Sequence, residues 1–123
     1  MKKSNRIKVS LFTFMSVFST SSFAGFYQGP ILSIGTGSHY DALCAFESCA
    51  VIMVDEVYYQ GPNCRAEDSW AFVVRTDTNS GKSTYSQLLT AYSSGKEVVI
   101  KGTDSCSGID SIETLLYAYF KFK

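Results

Sequence analysis

Few residues in this sequence have the types and spacing that chemistry requires. Gly81-Lys82-Ser83 follows an apolar run and opens a helical pattern, like the second half of a phosphate-binding loop. The full loop needs a glycine five positions before Gly81, so that backbone amides can wrap the phosphates, and Thr76 stands there. The tripeptide is therefore expected to be a polar helix start, with Ser80 as its N-cap. Asp77-Thr78-Asn79-Ser80-Gly81 offers oxygen ligands at alternating positions, as a calcium loop does. Gly81, Lys82 and Leu88 occupy the positions where such a loop needs a third ligand, a glycine and a closing carboxylate.

General acid–base chemistry is equally hard to assemble. His39 is the single histidine and lies among Gly and Ser, which suits a solvated loop better than a general base. Asp55 and Glu56 are adjacent on an expected strand and would point to opposite faces. Glu67 and Asp68 fall in a polar connector, and no matched carboxylate pair of the glycosidase kind is visible. No catalytic residue, metal site or cofactor is expected, and the chain reads as a binding protein rather than an enzyme.

The four cysteines, Cys44, Cys49, Cys64 and Cys106, carry a clearer signal. The spacing of Cys44 and Cys49 is not the Cys-x-x-Cys of redox sites, and zinc would need more histidines than one. An even count in a short chain predicts two disulfides with three connectivities open. The local pair Cys44–Cys49 with the long-range pair Cys64–Cys106 is preferred.

All eight tyrosines and the only tryptophan lie beyond residue 24. A tyrosine at a surface offers an apolar ring and a hydroxyl together, which suits polar ligands and protein partners. Tyr40, Tyr58 and Tyr59 are the candidate ligand-binding residues. Tyr117 and Tyr119 alternate with core-type positions. Trp70 is assigned to the core beside Cys64–Cys106.

The elements that must position these residues follow from period and punctuation. Ile31–Thr36 lies between Gly29-Pro30 and Gly35-Thr36-Gly37 and reads as a short strand. Residues 37–49 read as a loop. Ala50–Tyr59 is rich in β-branched and aromatic residues and forms the next strand, and Trp70–Thr76 the third. Residues 78–94 change period: Tyr85, Leu88, Leu89 and Tyr92 fall at i, i+3, i+4 and i+7, one apolar helical stripe for the core. Gly95 then stands where a left-handed helix cap is expected. Glu97–Gly102 returns to strand, 103–110 is a loop, and Leu115–Lys123 is the last strand. The order β-β-β-α-β-β predicts a mainly β, OB-fold-like five-stranded barrel with one helix, with a different α+β roll or a short β-sandwich as alternatives.

The start of the chain is of another kind. Lys2, Lys3, Arg6 and Lys8 precede an apolar stretch of Val9–Phe18, and Ser22-Phe23-Ala24 supplies small residues before a cut. Residues 1–24 are expected to be a secretory signal peptide cleaved near Ala24, with 25–123 as one exported, secreted or periplasmic domain. The apolar stretch is shorter than the roughly 20 residues of a membrane-spanning helix, and no second run approaches that length. The 11 basic and 11 acidic residues of the chain balance only because four basic ones lie in this segment. The remainder is acidic, which argues against a nucleic-acid partner.

The stretch from Cys64 to Thr114 carries a further signal. It reads C-x5-W-A-F-x-V-x-T-D-T-x-S-G-K-x-x-Y-S-x-L-L, then S-G-K-x-V-x-I-x-G-T-D-S-C and Asp110-Ser111-x-Glu113-Thr114. This resembles a family of small secreted bacterial proteins. The piece Tyr85–Ile100 is also similar to the binding subunits of subtilase-cytotoxin and pertussis-like AB5 toxins. That resemblance implies an OB-fold protomer, a homo-pentameric ring, a catalytic A-type companion subunit and recognition of host cell-surface glycans, often sialylated. The secreted family also implies the Cys64–Cys106 bridge.

Overall fold

A computed structural model describes residues 23–121. Of the expected signal peptide only Phe23 and Ala24 fall within it, and the rest of that segment lies outside the described residues. The strands are β1 (Phe26–Gly29), β2 (Ile31–Thr36), β3 (Cys49–Val54), β4 (Tyr59–Gln60), β5 (Phe72–Arg75), β6 (Val98–Ser107) and β7 (Ile112–Phe120). The helices are α1 (Ser38–Asp41) and α2 (Asn79–Ser94), with a 3-10 turn at Glu56–Tyr58. Among the described residues no helix is long and apolar enough to cross a membrane.

All seven strands form one sheet in the order β2-β3-β5-β7-β6-β1-β4. Neighbours are antiparallel except β5 and β7, which run parallel. The mainly β expectation holds, but the sheet is open and is not a closed five-stranded barrel. Its two ends are nevertheless tied. β1 and β2 are separated by Pro30 alone, yet β2 is one edge of the sheet and β1 lies next to the other. Proline removes a ladder donor and fixes φ, so one run of chain turns there and serves both ends. The sheet must curl for those ends to meet.

Curling makes an inside. Tyr27, Ile31, Ala50, Ile52, Val54, Phe72, Val74, Val98, Ile100 and Leu115 pack there with Leu88 and Ala91 of α2. A second cluster lies on the other side of β3, β5 and β7, where Val51, Val73 and Ile112 meet the Cys44–Cys49 pair. Tyr40, Leu43, Phe46 and Trp70 cover it. β3 is thus buried on both faces, which is why Cys49–Val54 is a continuous apolar run rather than an alternating one. Both expected disulfides form, Cys44–Cys49 and Cys64–Cys106.

Several boundaries differ from expectation. The strand expected over Ala50–Tyr59 stops at Val54, where Asp55 caps the 3-10 turn by accepting the Val57 N–H. Asp55 and Glu56 therefore do not sit on a strand at all. The loop expected at 103–110 is largely strand, because β6 continues past an irregularity to Ser107. β1 was not expected, since its four residues carry no clear alternation of their own.

The helix spans nearly the stretch expected, but its cap lies two residues earlier. Thr78, not Ser80, is the N-cap, and its hydroxyl accepts the Gly81 N–H. Gly95 closes the helix in the left-handed conformation at φ 66°, as expected. The buried line of α2 is Gly81, Leu88 and Ala91. Of the residues assigned to the core, Leu88 is buried and Tyr85 packs partly against it. Leu89 and Tyr92 do not belong there: they are 37% and 48% exposed. The small residues set this rotation. A Cβ on Gly81 would lie 1.7 Å from the Arg75 carbonyl oxygen, so only glycine lets the first turn of α2 rest on β5.

Candidate functional site

The structure does not bring the three candidate tyrosines together. Tyr40 belongs to α1 and meets Trp70 edge to face at 5.4 Å, inside the second cluster. Trp70 is therefore half-buried over the Cys44–Cys49 side of the sheet rather than packed in a core beside Cys64–Cys106. Tyr58 ends the 3-10 turn and is 62% exposed. Tyr59 points inward: its ring lies 5.1 Å from Phe72, and Arg65 stacks over it at 4.9 Å. Arg65 is fixed there by a two-pronged pair with Glu56 at 2.7 and 3.0 Å and by donating to the Trp70 carbonyl.

The residues singled out for chemistry are engaged elsewhere. Asp77 takes both prongs of the Arg75 guanidinium at 2.8 Å, and that hydrogen-bonded pair holds its carboxyl below the usual range. Glu67 accepts the Trp70 N–H. His39 is exposed, with its ring edge-on to Tyr40. Gly81 serves packing, and the Ser83 hydroxyl turns back to the Asn79 carbonyl. A groove of about 130 Å³ runs between the start of α2, Arg75 and Leu116, well below the several hundred Å³ of ordinary small-molecule pockets. Among the described residues no group of three or more His, Cys, Asp or Glu could hold a metal ion.

Two features stand out instead. The first is the outer face of β1, β6 and β7. Phe26 pairs with Lys101, and Lys101 with Tyr117, so these three form one row across three strands. The next row on that face is Gln28, Val99 and Tyr119. Tyr117 and Tyr119 stack at 6.2 Å with their planes 19° apart, and both remain at least 40% exposed. The Lys101 ammonium sits 5.9 Å from the centre of the Phe26 ring. The face thus offers parallel aromatic surface with a cation beside it, which can hold the apolar side of a polar ligand while the lysine addresses its oxygens. The alternation of Tyr117 and Tyr119 was legible in the sequence. Phe26 was not, because β1 was not.

The second feature is Glu113, the one fully buried charged residue among the described ones. It sits on β7 opposite Cys106, where β6 departs from regular register between Gly102 and Cys106. Asp104 takes a positive φ of 63° in that irregular stretch, and its N–H donates to Glu113 Oε2 at 3.0 Å. The Gly25 N–H donates to the same oxygen at 2.8 Å, and the Tyr59 hydroxyl to Oε1 at 3.3 Å. Gly25 and Gly102 line the carboxylate so closely that a Cβ on either would overlap it, at 1.8 and 2.1 Å. Burial raises the Glu113 carboxyl above its ordinary range, against the pull of its backbone donors. Burial, then the neighbouring Glu113 charge, push the Tyr59 hydroxyl well up. Glu113 stands in the sequence only within the Asp110–Thr114 stretch of the resemblance, a lone acid at the start of a strand with no role marked for it. Comparisons with models of protein families, with curated proteins and with solved structures find no match to this chain.

Proposed function

We propose that this protein is an exported, disulfide-bonded binding module that engages carbohydrate through the outer face of β1, β6 and β7. The observation that carries the proposal is the row Phe26–Lys101–Tyr117 with Tyr119 stacked beside Tyr117. A pyranose ring has an apolar C–H face and a polar rim, which match an exposed tyrosine ring and its hydroxyl. Lys101 adds a cation suited to the carboxylate of an acidic sugar. The two disulfides favour an oxidising compartment outside the cytoplasm, consistent with a cleaved leader.

An OB-like topology belongs to the same proposal. With β1 and β2 taken as halves of one strand bent at Pro30, and the two-residue β4 and the four-residue α1 set aside, five strands and one helix remain in the expected order. The resemblance to AB5 binding subunits extends this to a homo-oligomer, a pentamer in those toxins, with an A-type companion. Many weak identical sites held in a ring would together give the avidity that one shallow face lacks.

Glycan-array retention of the oxidised protein, alongside its solution mass, tests the proposal. Wild type should bind, and Tyr117→Ala and Tyr119→Ala should each weaken retention by about tenfold, roughly one stacking contact. A blank array refutes it. A blank array in which the same variants alter self-association or protein capture would instead identify the face as a protein-binding surface.

A further inference from the structure

Glu113 is a buried carboxylate held by two backbone amides and one phenol, and among the described residues no cationic side chain is hydrogen-bonded to it. Interiors seldom keep such a charge without a counter-charge, since desolvation of an unpaired carboxylate is costly. One of its donors is the nitrogen of Gly25, the residue that follows Ala24. We propose that Ala24–Gly25 is a processing site and that the α-ammonium it releases on Gly25 docks on Glu113 as the counter-ion of the buried carboxylate. This rests on the export reading, and it assigns the leader's removal a structural consequence.

The chemistry is a hydrolysis. An endoprotease acting on the exported chain adds water across the Ala24–Gly25 amide. The C–N bond breaks, Ala24 leaves as a carboxylate, and the Gly25 nitrogen leaves as an amine that is protonated at neutral pH. Folding then brings that nitrogen to the place it holds here, 2.8 Å from Glu113 Oε2. What changes is its charge and its number of hydrogens. An amide nitrogen has one hydrogen, and it is already used. An ammonium has three, and Asp104, whose own N–H donates to the same Glu113 oxygen, carries a buried Oδ1 without a hydrogen-bond partner.

The surroundings support a built acceptor. Gly25 and Gly102 are the residues that let the backbone approach the carboxylate, and the Gly25 carbonyl is held by the Gly102 N–H at 2.8 Å. Gly25 is buried while Phe23, two residues earlier, is 72% exposed, so the chain passes from surface to interior at the scissile bond. A folded chain would shield that bond, which places the cut before folding. Removal of Ala24 also takes away the carbonyl that Lys101 Nζ touches at 3.4 Å, and so frees the lysine of the aromatic row.

The test uses the full chain exported by a bacterial host. The mass of the product should correspond to Gly25 as the first residue, and any other start overturns the proposal. A second chain carries Gly-Ser inserted after Ala24, which leaves the cut in place and moves the amine two residues away. At pH 7 the insertion should lower the ratio of folded to unfolded protein by about tenfold, and by less than about twofold when Glu113→Gln is also present. An equal loss in both backgrounds overturns the docking. The wild-type product alone gives a third measurement. An ion-paired α-amine should titrate above its ordinary value of about 8, so stability holds below that pH and falls as pH rises through the folded value. The groups facing it are Glu113, Asp104 and Tyr59, with Lys101 and Arg65 the nearby cations. An amine that titrates at its ordinary value overturns the docking as well. Absence of any cut defeats the export reading itself, whereas a cut after Ala24 without coupling defeats only the docking.

Discussion

The closeness of Gly102 to Glu113 makes a quantitative prediction. In Gly102→Ala the new Cβ would lie 2.1 Å from the carboxyl carbon and from Oε1 of Glu113, and 2.3 Å from Oε2. Ordinary contact begins more than an ångström farther out, so the carboxylate must swing away. Overpacking of this kind costs about 1–3 kcal/mol. The displaced carboxylate also loosens its bonds to Gly25, Asp104 and Tyr59, and a hydrogen bond to a charged group is worth about 1.5–3 kcal/mol. The sum is about 2.5–6 kcal/mol even if only one bond is lost, a large share of the about 5–15 kcal/mol that stabilises a domain. Gly95→Ala is the control. It has open space around its Cβ and only a positive φ of 66°, which costs about 1–2 kcal/mol. Urea unfolding of the oxidised proteins measures both. The reasoning is refuted if Gly102→Ala is no worse than Gly95→Ala, or if its penalty persists undiminished in a Glu113→Ala background, where the obstacle is gone.

Two further outcomes follow from the same structure. Replacing Cys64 and Cys106 by alanine should cost about 4 kcal/mol and replacing Cys44 and Cys49 about 2 kcal/mol, because the loops they close differ so much in length. Denaturant midpoints of the two double variants check the order, and equal losses would contradict it. In a chain that keeps Gly25 in peptide linkage, Glu113 binds its proton more tightly folded than unfolded, chiefly through burial. Its contribution to stability is therefore greatest below the unfolded carboxyl value and declines as pH rises through the folded one. The stability difference between that uncut chain and its Glu113→Gln variant, followed from pH 3 to 8, isolates this slope from the opposite trend of Asp77, and a flat difference would refute it.

Local chemistry made part of this protein legible. The β-branched runs at 50–54 and 98–100, the helical period at 79–94 and the glycine cap at Gly95 are signals carried within a few residues of one another. Those parts of the fold match the sequence reading, as do the cysteine pairs. The inward line of α2 departs from the stripe of large apolar residues. Leu89 and Tyr92 are larger than Gly81 and Ala91, but the small residues permit the close approach to β5 and so face the sheet. Tyr40, Tyr58 and Tyr59 looked equivalent in sequence, yet one covers a disulfide, one is at the surface and one donates to a buried acid.

Taken alone, the sequence determined the main strands, the long helix between them and that the four cysteines pair, because period, turn residues and cysteine count act over short range. The tertiary structure alone decided that Pro30 lets one stretch of chain serve both ends of the sheet. It alone decided that Phe26, Lys101 and Tyr117 form a row, and that Gly25 meets Glu113 across 88 positions of sequence. Such pairings depend on strand order and register, and neither is written in any local window of residues.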